Sequence, residues 1–132
     1  DASAQSTLVY CAPAAASSAR AAPLRARGVQ VEALGAADTE SGLWLGQVMA
    51  ALFARGVHEL LVEGGPTLAG ALWNAALVDR LELFLAPKLL GAGQPLWPGL
   101  AAPSLAAALQ LRFDEVRPLG EDIYLSAQPR LP

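Results

Sequence analysis

The chain has 132 residues, of which 54% are hydrophobic and 16% charged, so it is long enough for one domain with an apolar core. Its net charge of −3 comes without a basic block, so the sequence lacks the electrostatic footprint of a nucleic-acid-binding protein. Each apolar run is interrupted before it could cross a bilayer, and the first residues show no signal-peptide pattern. We expect a cytoplasmic protein whose apolar surplus covers a subunit interface or further polypeptide.

The single cysteine and the single histidine narrow the possible chemistry. Cys11 has no second cysteine with which to form an intrachain disulfide or a cysteine-based metal site. His58 is the only histidine, which argues against a histidine metal cluster and against a Ser-His-Asp triad. We therefore predict no metal site, and we predict that Cys11 is a small buried residue at the end of an apolar run.

In chain order, the first third predicts two strands joined by short helical turns. Residues 7–11 and 29–34 have strand patterns, and residues 13–27 between them are rich in alanine and arginine and are broken by Pro23. A loop at 36–42 and a helix at 43–55 follow, the helix ending at Gly56. The apolar residues of this helix form one stripe, which predicts a face in the core. They are Leu45, Val48, Met49, Leu52 and Phe53. The alanine-rich stretch contains Arg20, Arg25 and Arg27. Two interpretations are open: these arginines bind a phosphate, or they form a solvent-exposed face.

The remaining elements predict an α/β fold. A strand, a helix and a second strand are expected at residues 58–62, 66–77 and 80–86, followed by an ordered loop at 88–103. An antiparallel hairpin is expected at residues 111–116 and 122–127, around Pro118-Leu119-Gly120. Strands that alternate with helices favour a sheet with parallel neighbours, which this hairpin closes.

Residues 60–72 are the most informative stretch of the chain, because a predicted strand runs into a glycine pair and then into a helix. Gly64 and Gly65 allow a ligand to approach the main chain closely, and Pro66 suits the first position of a helix. The first N–H groups of a helix have no acceptor within it, and they lie at the positive end of its dipole. An anionic ligand such as a nucleotide phosphate could bind there, beside the carboxylate of Glu63.

The alternative explanation of this stretch is structural. A Gly-Gly-Pro sequence also makes a tight strand-to-helix turn, and short glycine motifs are weak evidence by themselves. In open α/β sheets, however, ligands bind at the carboxyl ends of the strands, which is where this turn is expected. Two independent arguments therefore indicate the same place.

Three motifs along the chain carry a resemblance to a known family. They are Val-Glu-Gly-Gly-Pro-Thr-Leu-Ala at 62–69, Leu-Val-Asp-Arg-Leu at 77–81 and Ala-Pro-Lys-Leu-Leu-Gly at 86–91. Their order and spacing resemble those of the reductase domain of bacterial bifunctional riboflavin biosynthesis deaminase-reductases. The resemblance covers residues 7–127 and is strongest over residues 60–91.

This resemblance implies a dihydrofolate reductase-like fold, with a mostly parallel sheet flanked by helices and a C-terminal antiparallel hairpin. It also implies NADPH-dependent reduction of 5-amino-6-(5-phosphoribosylamino)uracil to the ribitylamino form, in a cytoplasmic homodimer. Glu63 matches a substrate-binding position of the family. The matching cofactor-binding stretch consists of Gly65, Pro66, Thr67, Leu68, Ala69, Gly70 and Ala71. Asp79 and Lys88 match motif positions without an assigned role, and no residue is identified as catalytic.

The chain departs from the family in two respects. Nothing in it resembles the zinc-ligand motifs of the deaminase half. Reductase domains of the family also carry a further stretch ahead of the point that corresponds to Asp1, so we expect residues 1–132 to be a single domain that is incomplete at its N-terminus. Two alternatives follow: a related reductase acting on another pterin or pyrimidine, or a non-catalytic fragment that binds nucleotide or dimerises.

Overall fold

The computed structural model describes residues 6–35, 45–91, 93, 96–97 and 102–130. The chain divides into two compact units, Asp1–Leu61 and Val62–Pro132. The loop expected at 36–42 lies outside the described residues. Within the described ranges, no helix is both long and apolar enough to span a membrane.

The first unit contains a parallel strand pair with two short helices between its strands. Strands β1 (Leu8–Cys11) and β2 (Gln30–Ala33) pair in parallel from Leu8 opposite Gln30 to Cys11 opposite Ala33. Helices α1 (Pro13–Ala16) and α2 (Ala21–Ala26) make the crossover, which confirms the predicted strands and helical turns. The crossover buries only the small side chains of Ala16 and Ala21.

Helix α3 (Leu45–Ala54) lies in the same unit and confirms the helix predicted at 43–55, whose first two residues lie outside the described part. Gly56 ends it with a φ of 82°, in the left-handed region that glycine tolerates. Most of the predicted apolar stripe is half-buried. Phe53 is the exception, because 64% of it is exposed and its ring packs edge-on against His58 at 5.0 Å between centroids.

Helix α4 (Pro66–Asn74) opens the second unit and is three residues shorter than the predicted 66–77. It ends where Ala76 takes a φ of 53° and the Leu77 N–H donates to the Leu72 carbonyl at 3.0 Å. Its buried residues are Gly70, Leu72 and Trp73. Leu72 and Trp73 thus pack into the unit, whereas 41% of Leu68 is exposed.

Strands β3 (Leu81–Leu85), β4 (Leu111–Leu119) and β5 (Asp122–Pro129) form an antiparallel sheet in the order β3-β5-β4. The predicted hairpin is confirmed, with longer strands than expected and with Gly120 in its turn at a φ of 64°. A bulge interrupts the pairing between Phe113 and Glu115. Together with the helices, the parallel pair and this sheet confirm the predicted α/β class.

The two faces of this sheet differ in chemistry, because side chains alternate along each strand. The face that we call the apolar face carries Leu81, Leu83, Leu85, Phe113, Val116, Pro118, Ile123, Leu125 and Ala127. The opposite face, which we call the polar face, carries Glu82, Phe84, Glu115, Arg117, Tyr124 and Ser126. A sheet with one apolar and one polar face is the usual antiparallel arrangement.

The strand predicted at 58–62 is wrong. Residues 58–64 have no helix or strand assignment, and their backbone makes no hydrogen bond to any other described residue. Leu61, in the middle of this run, is 74% exposed. The physical reason is that an apolar run becomes a strand only where a neighbour completes its hydrogen bonds. Parallel pairing among the described residues is consequently confined to β1 and β2, so the predominance of parallel strands is not observed.

Candidate functional site

The candidate site is the turn that leads into α4. Gly65 caps the helix in an extended conformation, with φ −70° and ψ 172°, and has no side chain with which to bind the first-turn N–H groups. Pro66 occupies the first helical position and has no N–H. The first main-chain bond of the helix runs from the Ala69 N–H to the Gly65 carbonyl at 3.1 Å. The N–H groups of Gly65, Thr67 and Leu68 thus have no acceptor in the described part of the chain.

The two glycines of the turn have different surroundings. A Cβ added at Gly64 would lie 2.7 Å from Leu68 Cδ2 and 3.3 Å from Leu68 Cβ, so the Leu68 side chain would have to shift. A Cβ added at Gly65 would meet no heavy atom within 4 Å, and the φ of Gly65 suits any residue. Position 64 is therefore packed against the Leu68 side chain, whereas position 65 leaves open space over the helix start.

Glu63 precedes this turn directly and is exposed. Its carboxylate forms no ion pair or hydrogen bond with any other described residue. An exposed, unpaired carboxylate can accept hydrogen bonds from the N–H or O–H groups of a ligand. In the described part of the chain, the Glu63 carboxylate and the N–H groups at the helix start are therefore both unpaired. These are the two groups that the sequence indicated as possible ligand contacts.

The rest of the predicted cofactor-binding stretch lies inside α4. Thr67 and Ala71 are exposed, Pro66 and Ala69 are half-buried, and Gly70 is buried. The Leu68 side chain lies against the glycine turn, and 41% of it remains exposed. The N-terminal half of the stretch therefore has exposed side chains and N–H groups without an acceptor in the described chain, whereas Gly70 is buried in the unit.

The other residues that the sequence raised do not form a site. Arg25 uses its guanidinium within the fold, because it donates to the Ala16 carbonyl at 2.9 Å and to the Val31 carbonyl at 3.3 Å. Asp79 and Lys88 are exposed, and their side chains have no partner among the described residues. Cys11 is half-buried, and its Sγ donates to the Glu32 carbonyl at 3.7 Å. The described residues contain no group of three or more metal-ligating side chains that could hold an ion.

A polar network that the sequence did not reveal lies on the polar face of the sheet. The Tyr124 hydroxyl donates to Glu82 Oε2, and the buried Ser126 Oγ donates to Glu82 Oε1 at 3.2 Å. The Arg117 guanidinium lies 4.5 Å from the centroid of the Tyr124 ring. The hydrogen bond to Glu82 raises the pKa of Tyr124 above its ordinary value of 10.0. These residues come together only through the register of the strands, which the sequence pattern does not determine.

Comparison with known proteins gives a family and several relatives. The family model described as the RibD C-terminal domain matches residues 4–125. The riboflavin biosynthesis protein RibD of Escherichia coli is 49% identical over 72 residues, which are 52% of this chain and 19% of that protein. The 5-amino-6-(5-phosphoribosylamino)uracil reductase of Buchnera aphidicola is 33% identical over 75 residues, which are 56% of this chain and 36% of that protein.

Solved structures support the fold. A pyrimidine reductase-like protein from Corynebacterium diphtheriae superimposes with a TM-score of 0.74 at 24% identity, over 95% of this chain and 50% of its own. The RibD of Acinetobacter baumannii superimposes with a TM-score of 0.71 at 23% identity, over 83% of this chain and 29% of its own. The chain thus spans at most half the length of each relative named here.

Proposed function

Because the chain belongs to the RibD C-terminal domain family, we propose that it is a reductase of riboflavin biosynthesis that acts with NADPH. The proposed reaction reduces 5-amino-6-(5-phosphoribosylamino)uracil to the ribitylamino form, as the name of the Buchnera relative suggests. The observation that carries the proposal is the open start of α4, where three N–H groups lack acceptors and Gly65 leaves space above them.

The residues at this helix start fit a phosphate-bearing cofactor. The N–H groups of Gly65, Thr67 and Leu68 would donate to phosphate oxygens at the positive end of the helix dipole, and the Thr67 hydroxyl would add a further donor. The absence of a Cβ at Gly65 lets that group come close to the main chain. When bound, NADPH would supply a hydride to the C1′ carbon of the open-chain imine form of the substrate, and the imine nitrogen would take up a proton, which gives the amine and NADP⁺.

Glu63 is the proposed substrate-binding residue. Its carboxylate is unpaired in the described part of the chain, so it is available to accept hydrogen bonds from the pyrimidine or from the sugar hydroxyls. Such bonds would hold the substrate in one orientation beside the phosphate-binding turn, and orientation is the main contribution that a protein makes when the cofactor carries the chemistry. We assign no proton-transfer role to it.

We also propose that the protein is a cytoplasmic homodimer. The high apolar content supports the dimer. The apolar side chains of Phe84, Phe113 and Val116 support it as well, because they are exposed to solvent in the single chain. The cytoplasmic location rests on the riboflavin biosynthesis proteins among the relatives.

The experiment that tests the proposed function is an assay of this chain with NADPH and 5-amino-6-(5-phosphoribosylamino)uracil. We expect NADPH absorbance to fall only when the substrate is present. Oxidation with a pterin but not with this substrate would favour the related reductase. Cofactor binding without oxidation on any substrate would favour a non-catalytic nucleotide-binding fragment.

A further inference from the structure

Helix α4 is held in its unit by its second half. Its buried residues are Gly70, Leu72 and Trp73. In its first turn, by contrast, Thr67 and Leu68 are exposed. Trp73 is the largest of the buried side chains, and only 9% of it is accessible to solvent. The packing around Trp73 therefore contributes to the direction in which the open start of the helix points.

The Trp73 ring packs against the ring of Trp97, which lies in the segment at 88–103. The two ring centroids are 4.9 Å apart, and the ring planes are inclined to each other by 30°. This separation lies in the range of favourable aromatic pairs. Both residues belong to the unit Val62–Pro132, so the contact joins the segment to α4 within one compact unit.

Trp97 differs from the other large apolar side chains of its segment. It is half-buried, whereas the leucines that the structure describes between residues 88 and 103 are exposed, namely Leu89, Leu90 and Leu96. Among the described large side chains of this segment, Trp97 is thus the one that packs into the unit. Its contact with Trp73 is consequently a specific attachment of the segment to the helix.

The distance between this contact and the proposed phosphate site makes small changes of helix direction important. At 1.5 Å per residue, Trp73 lies about 12 Å along the helix axis from Gly65. A tilt of about 5° around Trp73 would therefore move the first-turn N–H groups by about 1 Å. Such a shift is larger than the spread of about 0.5 Å in the donor–acceptor distances of normal N–H···O hydrogen bonds.

We propose that Trp97 is a positioning residue for the cofactor site. Its ring holds Trp73 in place and thereby sets the direction of the first-turn N–H groups toward the cofactor phosphate. Trp97 acts through the helix and not by contact with the ligand. The proposal rests on the proposed function and adds a residue outside the predicted cofactor-binding stretch. A lower population of the correctly directed helix weakens NADPH binding by the same factor.

The test compares substitutions at two adjacent positions of the segment. Trp97→Ala removes the ring, whereas Trp97→Phe keeps an aromatic partner for Trp73. The matched control is Leu96→Ala, which removes a large apolar side chain from the neighbouring, exposed position. Far-UV circular dichroism confirms that each variant is folded. Trp97→Leu, which keeps apolar volume without a ring, replaces Trp97→Ala if that variant does not fold.

Calorimetric titration with NADPH measures the dissociation constant of each protein. We expect this constant to rise about tenfold in Trp97→Ala, because a misplacement of about 1 Å is costly at a binding site. Trp97→Phe should restore the affinity to within about twofold of the wild type, and Leu96→Ala should leave it unchanged. Unchanged affinity in a folded Trp97→Ala would overturn the proposal. Equal weakening by Trp97→Ala and Leu96→Ala would also overturn it, because it would indicate a general loss of stability.

Nuclear magnetic resonance of the chain without nucleotide separates this proposal from the proposed function. The amide shifts of Gly65, Thr67 and Leu68 report the helix start directly. We expect them to change in Trp97→Ala and to stay as in the wild type in Leu96→Ala. A wild-type chain that binds no NADPH would contradict the proposed function. In that case, unchanged amide shifts in Trp97→Ala would also overturn the positioning role, and changed shifts would support it.

Discussion

The glycine turn before α4 and the sheet formed by β3, β5 and β4 use their polar groups in opposite ways. In the sheet, β5 bonds to a strand on each side, and Glu82 accepts hydrogen bonds from two hydroxyl groups. In the turn, Glu63 has no partner in the described chain, and three N–H groups at the helix start have no acceptor. Both regions lie in the same unit, Val62–Pro132.

This difference shows where to look for a ligand. Polar groups that bond to each other stabilise the fold and have little capacity left for binding. Polar groups that the fold leaves without partners at the surface are available to a ligand, and their hydrogen bonds with water are exchanged for bonds with it. The sheet network therefore has a structural role, whereas ligand binding at the turn stays a proposal that the following experiments test.

We expect the largest effect on turnover from a substitution at Glu63, the proposed substrate-binding residue of the turn. Glu63→Gln keeps the shape of the side chain and removes its charge, so charge-assisted hydrogen bonds to the substrate become ordinary ones. We expect kcat/KM for the pyrimidine substrate to fall about 10- to 100-fold, because a hydrogen bond to a charged group contributes about 1.5–3 kcal/mol. NADPH affinity, measured separately by titration, is expected to change little.

Glu59→Gln is the matched control, since Glu59 is an exposed carboxylate of the same segment with no partner among the described residues. It is expected to leave both quantities unchanged. Equal loss of turnover and of NADPH affinity in Glu63→Gln would contradict the assignment of Glu63 to the substrate.

The two glycines sharpen the comparison within the turn itself. Gly64→Ala places a Cβ 2.7 Å from Leu68 Cδ2 and 3.3 Å from Leu68 Cβ, so the half-exposed Leu68 side chain has to shift, and we expect the free energy of unfolding to fall by about 0.5–1.5 kcal/mol. Gly65→Ala meets no atom within 4 Å and restricts the unfolded chain, but alanine is a poorer N-cap than glycine, so the two effects offset each other and stability is expected to change little. Urea denaturation measures both changes.

For NADPH affinity we expect the opposite order, with Gly65→Ala having the larger effect of the two substitutions. Gly65→Ala adds a methyl group where a phosphate is proposed to approach the main chain, so it is expected to weaken NADPH binding despite its unchanged stability. A Gly65→Ala variant that binds NADPH as the wild type does would show that the space over the helix start has no role in binding.

The smallest expected effect concerns the sheet network. The hydrogen bond to Glu82 raises the pKa of Tyr124, so its hydroxyl stays protonated in the folded chain at pH values where it ionises in the unfolded one. The resulting stabilisation is fully present below pH 10 and is lost as the pH rises through the folded-state pKa. Ultraviolet titration of tyrosinate, with Tyr124→Phe subtracted, should give a midpoint above 10.0.

Glu82→Gln removes the main cause of this shift, and it should bring the midpoint of Tyr124 back toward 10.0. A Tyr124 that ionises at or below 10.0 in the wild type would show that the network is not formed in solution.

The sequence predicted most local elements of the fold and the position of the candidate site. Strand patterns located β1, β2 and β3, and the glycine at position 120 located the hairpin turn, because these signals lie within a few residues of each other. The strand at 58–62 was predicted wrongly, because whether a strand forms depends on a neighbour that local pattern does not show. The Glu82 network was missed for the same reason, since its members are 42 and 44 residues apart in sequence.

The difference between Gly64 and Gly65 also could not be predicted from the sequence. Both glycines belong to one predicted turn, and only the position of the Leu68 side chain distinguishes Gly64, which packs against it, from Gly65, which has open space around it. The role of Glu63 stays a prediction, because its free carboxylate is compatible with substrate binding and only a substrate can test it.

A titration of the chain with NADPH and, in parallel, with NADH, followed by tryptophan fluorescence, shows whether the glycine turn binds the cofactor. Trp73 lies in α4, the helix whose start is the proposed phosphate site, so it provides an internal reporter. We expect saturable binding that favours NADPH and that weakens in Gly65→Ala. A folded wild-type chain that binds neither nucleotide would contradict this expectation and would leave the glycine turn with a structural role alone.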